Sequence, residues 1–140
     1  MIYLNDNYLT QLPEDLGKLS NLSVLVIRNN AISMLPSSIG ACNRLAELLI
    51  QNCAIQLLPP ELGNLAFHYE GKVLKMAGNP FHSSLEEEAS KGIQTLMEYL
   101  NSGSYLALWE IRKKIPVSSE GAAKVKKAEK KRKKLDKQQK

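Results

Sequence analysis

The residues of this chain that could carry chemistry are few, and their spacing argues against its use. His68 and His82 stand alone, and Cys42 and Cys53 fall at regular places in a repeating pattern. A zinc site wants four ligands in paired short spacings, which these four residues do not form. Ser, His and Asp all occur, yet no motif sets a nucleophile beside a base and an orienting third group. There is no G-x-x-x-x-G-K-[ST] run and no G-x-G-x-x-G, so nucleotide binding has no sequence support. Glu86-Glu87-Glu88 resembles a paired-carboxylate site but reads better as the solvated start of a helix, and Trp109 reads as part of an apolar patch. The expectation is a protein without catalytic residues, metal or cofactor, its cysteines serving as small buried side chains.

A second kind of chemistry is charge. Lys124, Lys126, Lys127, Lys130, Lys131, Arg132, Lys133 and Lys134 crowd the end of the chain. Residues 1–112 hold seven Lys or Arg against eleven Asp or Glu, a balance of −4, and residues 113–140 hold twelve against three, or +9; together they give the net +5. The basic character therefore belongs to a tail, expected to be disordered. Three readings stay open for it: a nuclear localisation signal, weak binding of nucleic acid or anionic lipid through counterion release, or a self-repelling solubilising end. No aromatic residue interleaves the lysines, so nothing there would stack on bases. No apolar run approaches the roughly 20 residues of a membrane span. The start, Met1-Ile2-Tyr3-Leu4-Asn5-Asp6, lacks the basic and long apolar regions of a signal peptide. With two cysteines and no disulfide framework, the chain reads as cytosolic or nuclear.

What positions these residues is a repeat. Leu12-Pro13, Leu35-Pro36 and Leu58-Pro59 are spaced by 35 − 12 = 23 and 58 − 35 = 23 residues, and Leu16-Gly17, Ile39-Gly40 and Leu62-Gly63 keep the same step. Such a period with leucines at fixed offsets is the signature of leucine-rich repeats. Each copy reads L-x-x-L-x-L-x-x-N-x-L, then x-x-L-P-x-x-L-G-x-L. The second copy fits throughout (Leu22, Leu25, Ile27, Asn30, Ile32), and the third replaces the Asn with Cys53. Leu25-Val26-Ile27 and Leu48-Leu49-Ile50 predict short strands whose first and third side chains face the core. Asn7 and Asn30 are expected to be buried and to satisfy backbone groups at the following turn. Pro and Gly shape the convex return.

Both ends depart from the pattern. The first copy starts mid-strand, which leads us to expect either a piece of a longer array or a partner at that edge. In the fourth copy the spacing slips by three: Leu74 and Met76 take the inward positions and Asn79 the Asn slot. Leu85, Ala89, Ile93, Leu96, Met97 and Leu100 then predict one helix, capped by Ser83 or Ser84, and Tyr105, Leu106, Leu108, Trp109 and Ile111 a second. The expected organisation is α/β: repeats over 1–82 forming a solenoid with a short parallel sheet on the concave face, a helical cap over 83–112 and the lysine-rich tail over 113–140.

The L-P-x-x-L-G copies resemble the 23-residue class of intracellular Ras-group leucine-rich repeat proteins. Leu58-Pro59-Pro60-Glu61-Leu62-Gly63-Asn64-Leu65, Gly71-Lys72-Val73-Leu74-Lys75, Gly78-Asn79-Pro80 and Met97-Glu98-Tyr99-Leu100 follow in the order found in its Ras-suppressor branch, over about residues 2 to 110. That resemblance implies a non-enzymatic adaptor of Ras and integrin-adhesion signalling in the cytoplasm, with a LIM-domain adaptor, PINCH, as partner. A regulatory subunit of a Ras-pathway phosphatase complex would share the same surface.

Strand residues between the core leucines should point from the concave face. By offset these are Tyr3, Asn5 and Asp6; Val24, Val26, Arg28 and Asn29; Glu47, Leu49, Gln51 and Asn52; and Lys75. Val26 and Leu49 are expected to form an exposed apolar strip rimmed by Arg28, Glu47 and Gln51, the usual arrangement of a protein interface. The competing reading is that such β-branched and apolar residues serve strand propensity alone.

Overall fold

The computed structural model describes residues 1–113; the lysine-rich segment from Lys126 to Lys134 lies outside the described residues. Four short strands, β1 (Ile2–Tyr3), β2 (Val24–Val26), β3 (Glu47–Leu49) and β4 (Val73–Lys75), form one parallel sheet in chain order. Leu25 pairs with Ile2 and Leu48, and Leu48 with Leu74, so equivalent positions of successive repeats stand side by side. The inward positions predicted for the strands hold: Leu25, Ile27, Leu48 and Ile50 are fully buried. Between strands the chain returns through 3₁₀ turns at Glu14–Lys18, Ser37–Ala41 and Pro60–Leu65. Pro13 and Pro36 hold extended backbone just ahead of the first two, because a proline fixes φ near −65°.

The glycines of the turns permit close stacking. A Cβ on Gly40 would come 2.6 Å from the Cβ of Glu61 in the next turn, and one on Gly17 would run into the Ser38 carbonyl oxygen. Ser38 uses that proximity: its hydroxyl donates to the Glu14 carbonyl (2.7 Å) and accepts from Gly17 N–H (3.1 Å). Leu16, Ile39 and Leu62 fill the space between these turns and the sheet.

Strands this short leave backbone groups unpaired where the chain turns away, and a buried side chain meets them. Asn30 donates to the carbonyls of Leu4 (2.9 Å) and Ile27 (2.7 Å) and accepts from Leu9 N–H (3.2 Å). Asn79 does the same one stage later, donating to Ile50 (2.8 Å) and Met76 (2.9 Å) and accepting from Cys53 and Ile55 N–H. Between them the Cys53 thiol donates to Ile27 O at 3.3 Å. The slipped fourth copy therefore recovers its Asn slot. Asn7, expected to be buried, is exposed instead, and its amide donates to Leu4 O and Asn5 O close by in the chain.

Three helices follow: α1 (Ser83–Ser90), α2 (Ile93–Leu100) and α3 (Gly103–Lys113). The single helix expected across 85–100 is broken at Gly92, whose φ of 125° lies outside helical space. As a result Ile93 is exposed rather than in the core. His82, not Ser83 or Ser84, caps α1, with Nδ1 accepting from Ser84 N–H at 3.2 Å. Glu87 and Glu88 of α1 pair with Lys91 at the surface. Leu85, Leu96, Met97, Leu100, Tyr105 and Trp109 join the buried cluster of the repeats.

These helices continue the convex stack. Asn101, at the end of α2, takes the place against Gly63 that Ser38 and Glu61 take against Gly17 and Gly40. Tyr105, Trp109 and Lys113, four apart on one side of α3, then run back along the Leu-Pro positions. The Tyr105 hydroxyl donates to Leu58 O and accepts from Leu58 N–H (2.9 Å). Trp109 and Lys113 line a cleft of about 490 Å³ with Leu35, Met34, Leu12 and Glu14.

Replacing Asn30 by Ala should cost about 2–4 kcal/mol in urea unfolding, because it strands several buried backbone groups, whereas Asn7→Ala should cost well under ~1 kcal/mol. Burial pushes the Tyr105 phenol above its usual range. Its folded pKa is raised, so its contribution is whole below the unfolded value near ~10 and falls as pH rises above it. Denaturation midpoints should therefore drop above about pH 10 in the wild type more steeply than in Tyr105→Phe.

Candidate protein-interaction face

The outward side chains of the sheet fall into rows set by the register. Tyr3 pairs with Val26, Val26 with Leu49, and Leu49 with Lys75. Beside that row run Val24, Glu47 and Val73. The register continues beyond the strands, since Asn29 N–H donates to Gln51 O (3.0 Å) and Asn52 N–H to Ala77 O (2.9 Å). This sets Asn5, Arg28, Gln51 and Ala77 in a third row. Nine of the twelve residues expected on the concave face fall in these three rows; Asp6, Asn29 and Asn52 lie beyond the third.

Their exposure differs from expectation at the centre. Val26 is 3% exposed, so it offers a partner almost no surface. Tyr3 and Leu49 flank it in the register, and a small β-branched side chain between a ring and a leucine is covered by its neighbours. Leu49, Val24, Asn5 and Gln51 are half-buried, and Tyr3, Arg28, Glu47 and Lys75 are exposed. The accessible apolar surface is therefore split: Tyr3 at one side, Leu49 in the middle, Val24 and Val73 along the neighbouring row.

Beyond the third row the sequence reading missed a polar ladder. Asp6, Asn29 and Asn52, each 23 apart, have φ of 61°, 61° and 55°. Asn52 donates to Asn29 Oδ1 (3.1 Å), and Asn29 to Asp6 Oδ1 (2.7 Å). Asn5 donates to the other Asp6 oxygen at 2.8 Å. Asn and Asp are the non-glycine residues that tolerate left-handed backbone, and Gly78 (φ 80°) closes the series. The signal was present as three Asx residues at the repeat period.

The residues set aside for chemistry have structural tasks. Cys42 is buried, its thiol donating to Leu16 O (3.5 Å) and pushed above its usual pKa by desolvation. Cys53 and His82 have the roles given above, and His68 packs against the Tyr69 ring at 4.5 Å. Among the described residues no three His, Cys, Asp or Glu side chains are grouped to hold a metal ion, and no helix is long and apolar enough to cross a membrane.

A search for structural relatives places this architecture among leucine-rich repeat proteins. A solved leucine-rich repeat protein of Leptospira interrogans aligns over 61% of this chain with 30% identity and a TM-score of 0.53. The alignment spans 21% of that protein, so the chain corresponds to about a fifth of its length. No protein-family model matches the chain, and no curated protein matches it. The fold is thus an α/β leucine-rich repeat, a type built to present a surface.

Because Val26 is enclosed and Val24 is not, Val26→Thr should destabilise by about 1–2 kcal/mol through its buried hydroxyl, and Val24→Thr by less than ~0.5 kcal/mol. Thermal unfolding of the two variants checks the ranking.

Proposed function

We propose that the chain is a non-enzymatic adaptor that binds a protein partner on the concave face of its sheet. The observation that carries this reading is the alignment of Tyr3, Val24, Leu49, Val73, Arg28, Glu47 and Lys75 on one sheet side that the three helices leave uncovered, since their buried contacts go to the core and to the third 3₁₀ turn. Concave repeat surfaces suit such use because many strands present side chains at fixed spacing. In this reading residues 1–82 are the binding array, α1–α3 cap its core, and the segment from 113 adds a positively charged arm.

The finer assignment follows the resemblance in the cap region, from Leu58-Pro59 through Tyr99-Leu100. We propose a relative of Ras suppressor protein, working in the cytoplasm at adhesion sites with PINCH, a LIM-domain protein, as partner. A regulatory subunit of a Ras-pathway phosphatase would use the same face and differ in the partner alone. A separate reading gives the binding to Lys126, Lys127, Lys130, Lys131, Arg132, Lys133 and Lys134, as a nuclear or polyanion-associated protein with the repeats as scaffold. The cluster of these seven cations within nine residues favours it.

Titrating purified PINCH LIM domains into the full chain, by calorimetry, separates these readings. Saturable binding that weakens about tenfold in Leu49→Thr, and persists when the seven tail cations are changed to glutamine, is the adaptor outcome. Leu49→Thr keeps strand propensity, so loss of binding is not loss of the sheet. No binding to the LIM domains, with steeply salt-dependent binding to heparin abolished by the glutamine changes, would move the function to the tail.

A further inference from the structure

We propose that the partner presents an acidic segment, a carboxylate beside an apolar side chain, to the corner of the concave face formed by Arg28, Gln51 and Lys75. This rests on the adaptor reading and names the chemistry of the partner. Although residues 1–112 carry a net charge of −4, their charges are segregated. Glu14, Asp15 and Glu61 lie on the convex turns, and Glu86, Glu87, Glu88, Glu98 and Glu110 on the helices. On the concave side Asp6 is already occupied by Asn5 and Asn29, which leaves Glu47, and the exposed Glu70 lies in the turn that leads into β4.

Away from the concave face four cations are engaged, while Arg44 and Arg112 have no ion-pair partner among the described residues. Lys18 pairs with Asp15, Lys91 with Glu87 and Glu88, Lys72 donates to Leu65 O, and Lys113 lies over the Trp109 ring. Arg28 and Lys75 are exposed, and among the described residues neither has an ion-pair partner. The register puts Arg28 beside Gln51, and Lys75 beside Leu49 on the other flank. Their Cα atoms are then about two strand spacings and two residues apart, ~12 Å, within the joint reach of two long side chains. Between them the Gln51 side-chain oxygen is enclosed and has no hydrogen-bond partner. A peptide supplies what this corner lacks: a carboxylate for the two cations, a backbone N–H for the amide after a turn of its side chain, and an apolar side chain for Leu49.

The test is selection of twelve-residue peptides from a random display library on the full chain, followed by affinity measurement on variants. Enriched peptides should carry Asp or Glu next to Leu, Ile or Phe. Their affinity should fall roughly tenfold or more in the Arg28→Glu/Lys75→Glu double variant and stay within twofold when the seven tail cations become glutamine. Should charge reversal lower the melting temperature, Arg28→Gln/Lys75→Gln replaces it, with a smaller loss expected. Peptides that lack acidic residues, or acidic peptides that bind the double variant as well as wild type, overturn the inference. If such peptides are nevertheless lost in Leu49→Thr, the adaptor reading stands and the acidic corner alone falls. If they survive every concave substitution, both fall.

Discussion

The structure depends on one constraint: backbone groups released by two- and three-residue strands must find hydrogen bonds in a core that excludes water. A strand of ordinary length would use its neighbours, but here the chain leaves the sheet at once toward a convex turn. Asn30 and Asn79 carry both donors and acceptors in one short side chain, so each ties its own turn to the carbonyls and amides of the preceding repeat. The amide can reach back only when each copy advances by one strand spacing, whatever its length in residues. Burial of Leu25, Ile27, Leu48 and Ile50 supplies the driving force, while the amides fix the register in which that burial occurs.

The same economy explains the helices. A stack of repeats ends on an open convex turn with an uncovered apolar layer beneath it, and Gly63 is the last turn glycine. Asn101 fills the space against Gly63 from α2, so a helix end substitutes for a further 3₁₀ turn. Tyr105 then satisfies Leu58 N–H and O, groups that in the repeats proper have no such phenol. α3 packs on α2 and on the third 3₁₀ turn, and its Trp109 and Lys113 face Leu35 and Leu12 across a cleft.

Repeat period, strand positions, inward leucines and the recovered Asn slot at Asn79 were legible because each is a local pattern repeated at fixed spacing. Other features depended on what neighbouring elements do in space. The helix across 85–100 has sound apolar periodicity, and only the backbone conformation adopted at Gly92 divides it. Ser84 has the chemistry of a cap, yet His82 lies one position ahead of the helix with a ring nitrogen in reach. Asn7 shares the sequence slot of Asn30, but burial comes from the layers on either side and not from the slot. On the candidate face the alignment of Tyr3, Val26, Leu49 and Lys75 could be read from offsets, because the register is the period itself. The enclosure of Val26 could not, since it comes from side chains on two other strands.

That enclosure alters how the concave face can recognise anything. An exposed apolar strip would give area-driven, weakly selective binding, and would leave the free protein with a surface prone to association. Enclosing Val26 removes the centre of such a strip in the free state. What remains is apolar contact spread over Tyr3, Leu49 and the Val24–Val73 row, divided by charged and amide groups. Selectivity on a face of this kind comes mainly from matching fixed polar groups, because a wrong partner must strip water from Arg28 and Lys75 without replacing its hydrogen bonds. In the proposed use of this face, the amide ladder would serve recognition as well as stability. Arg28 and Gln51 adjoin Asn29 and Asn52, and the hydrogen bonds joining Asp6, Asn29 and Asn52 hold that edge of the sheet at one spacing. A preformed edge lowers the ordering cost that a partner would otherwise meet on binding.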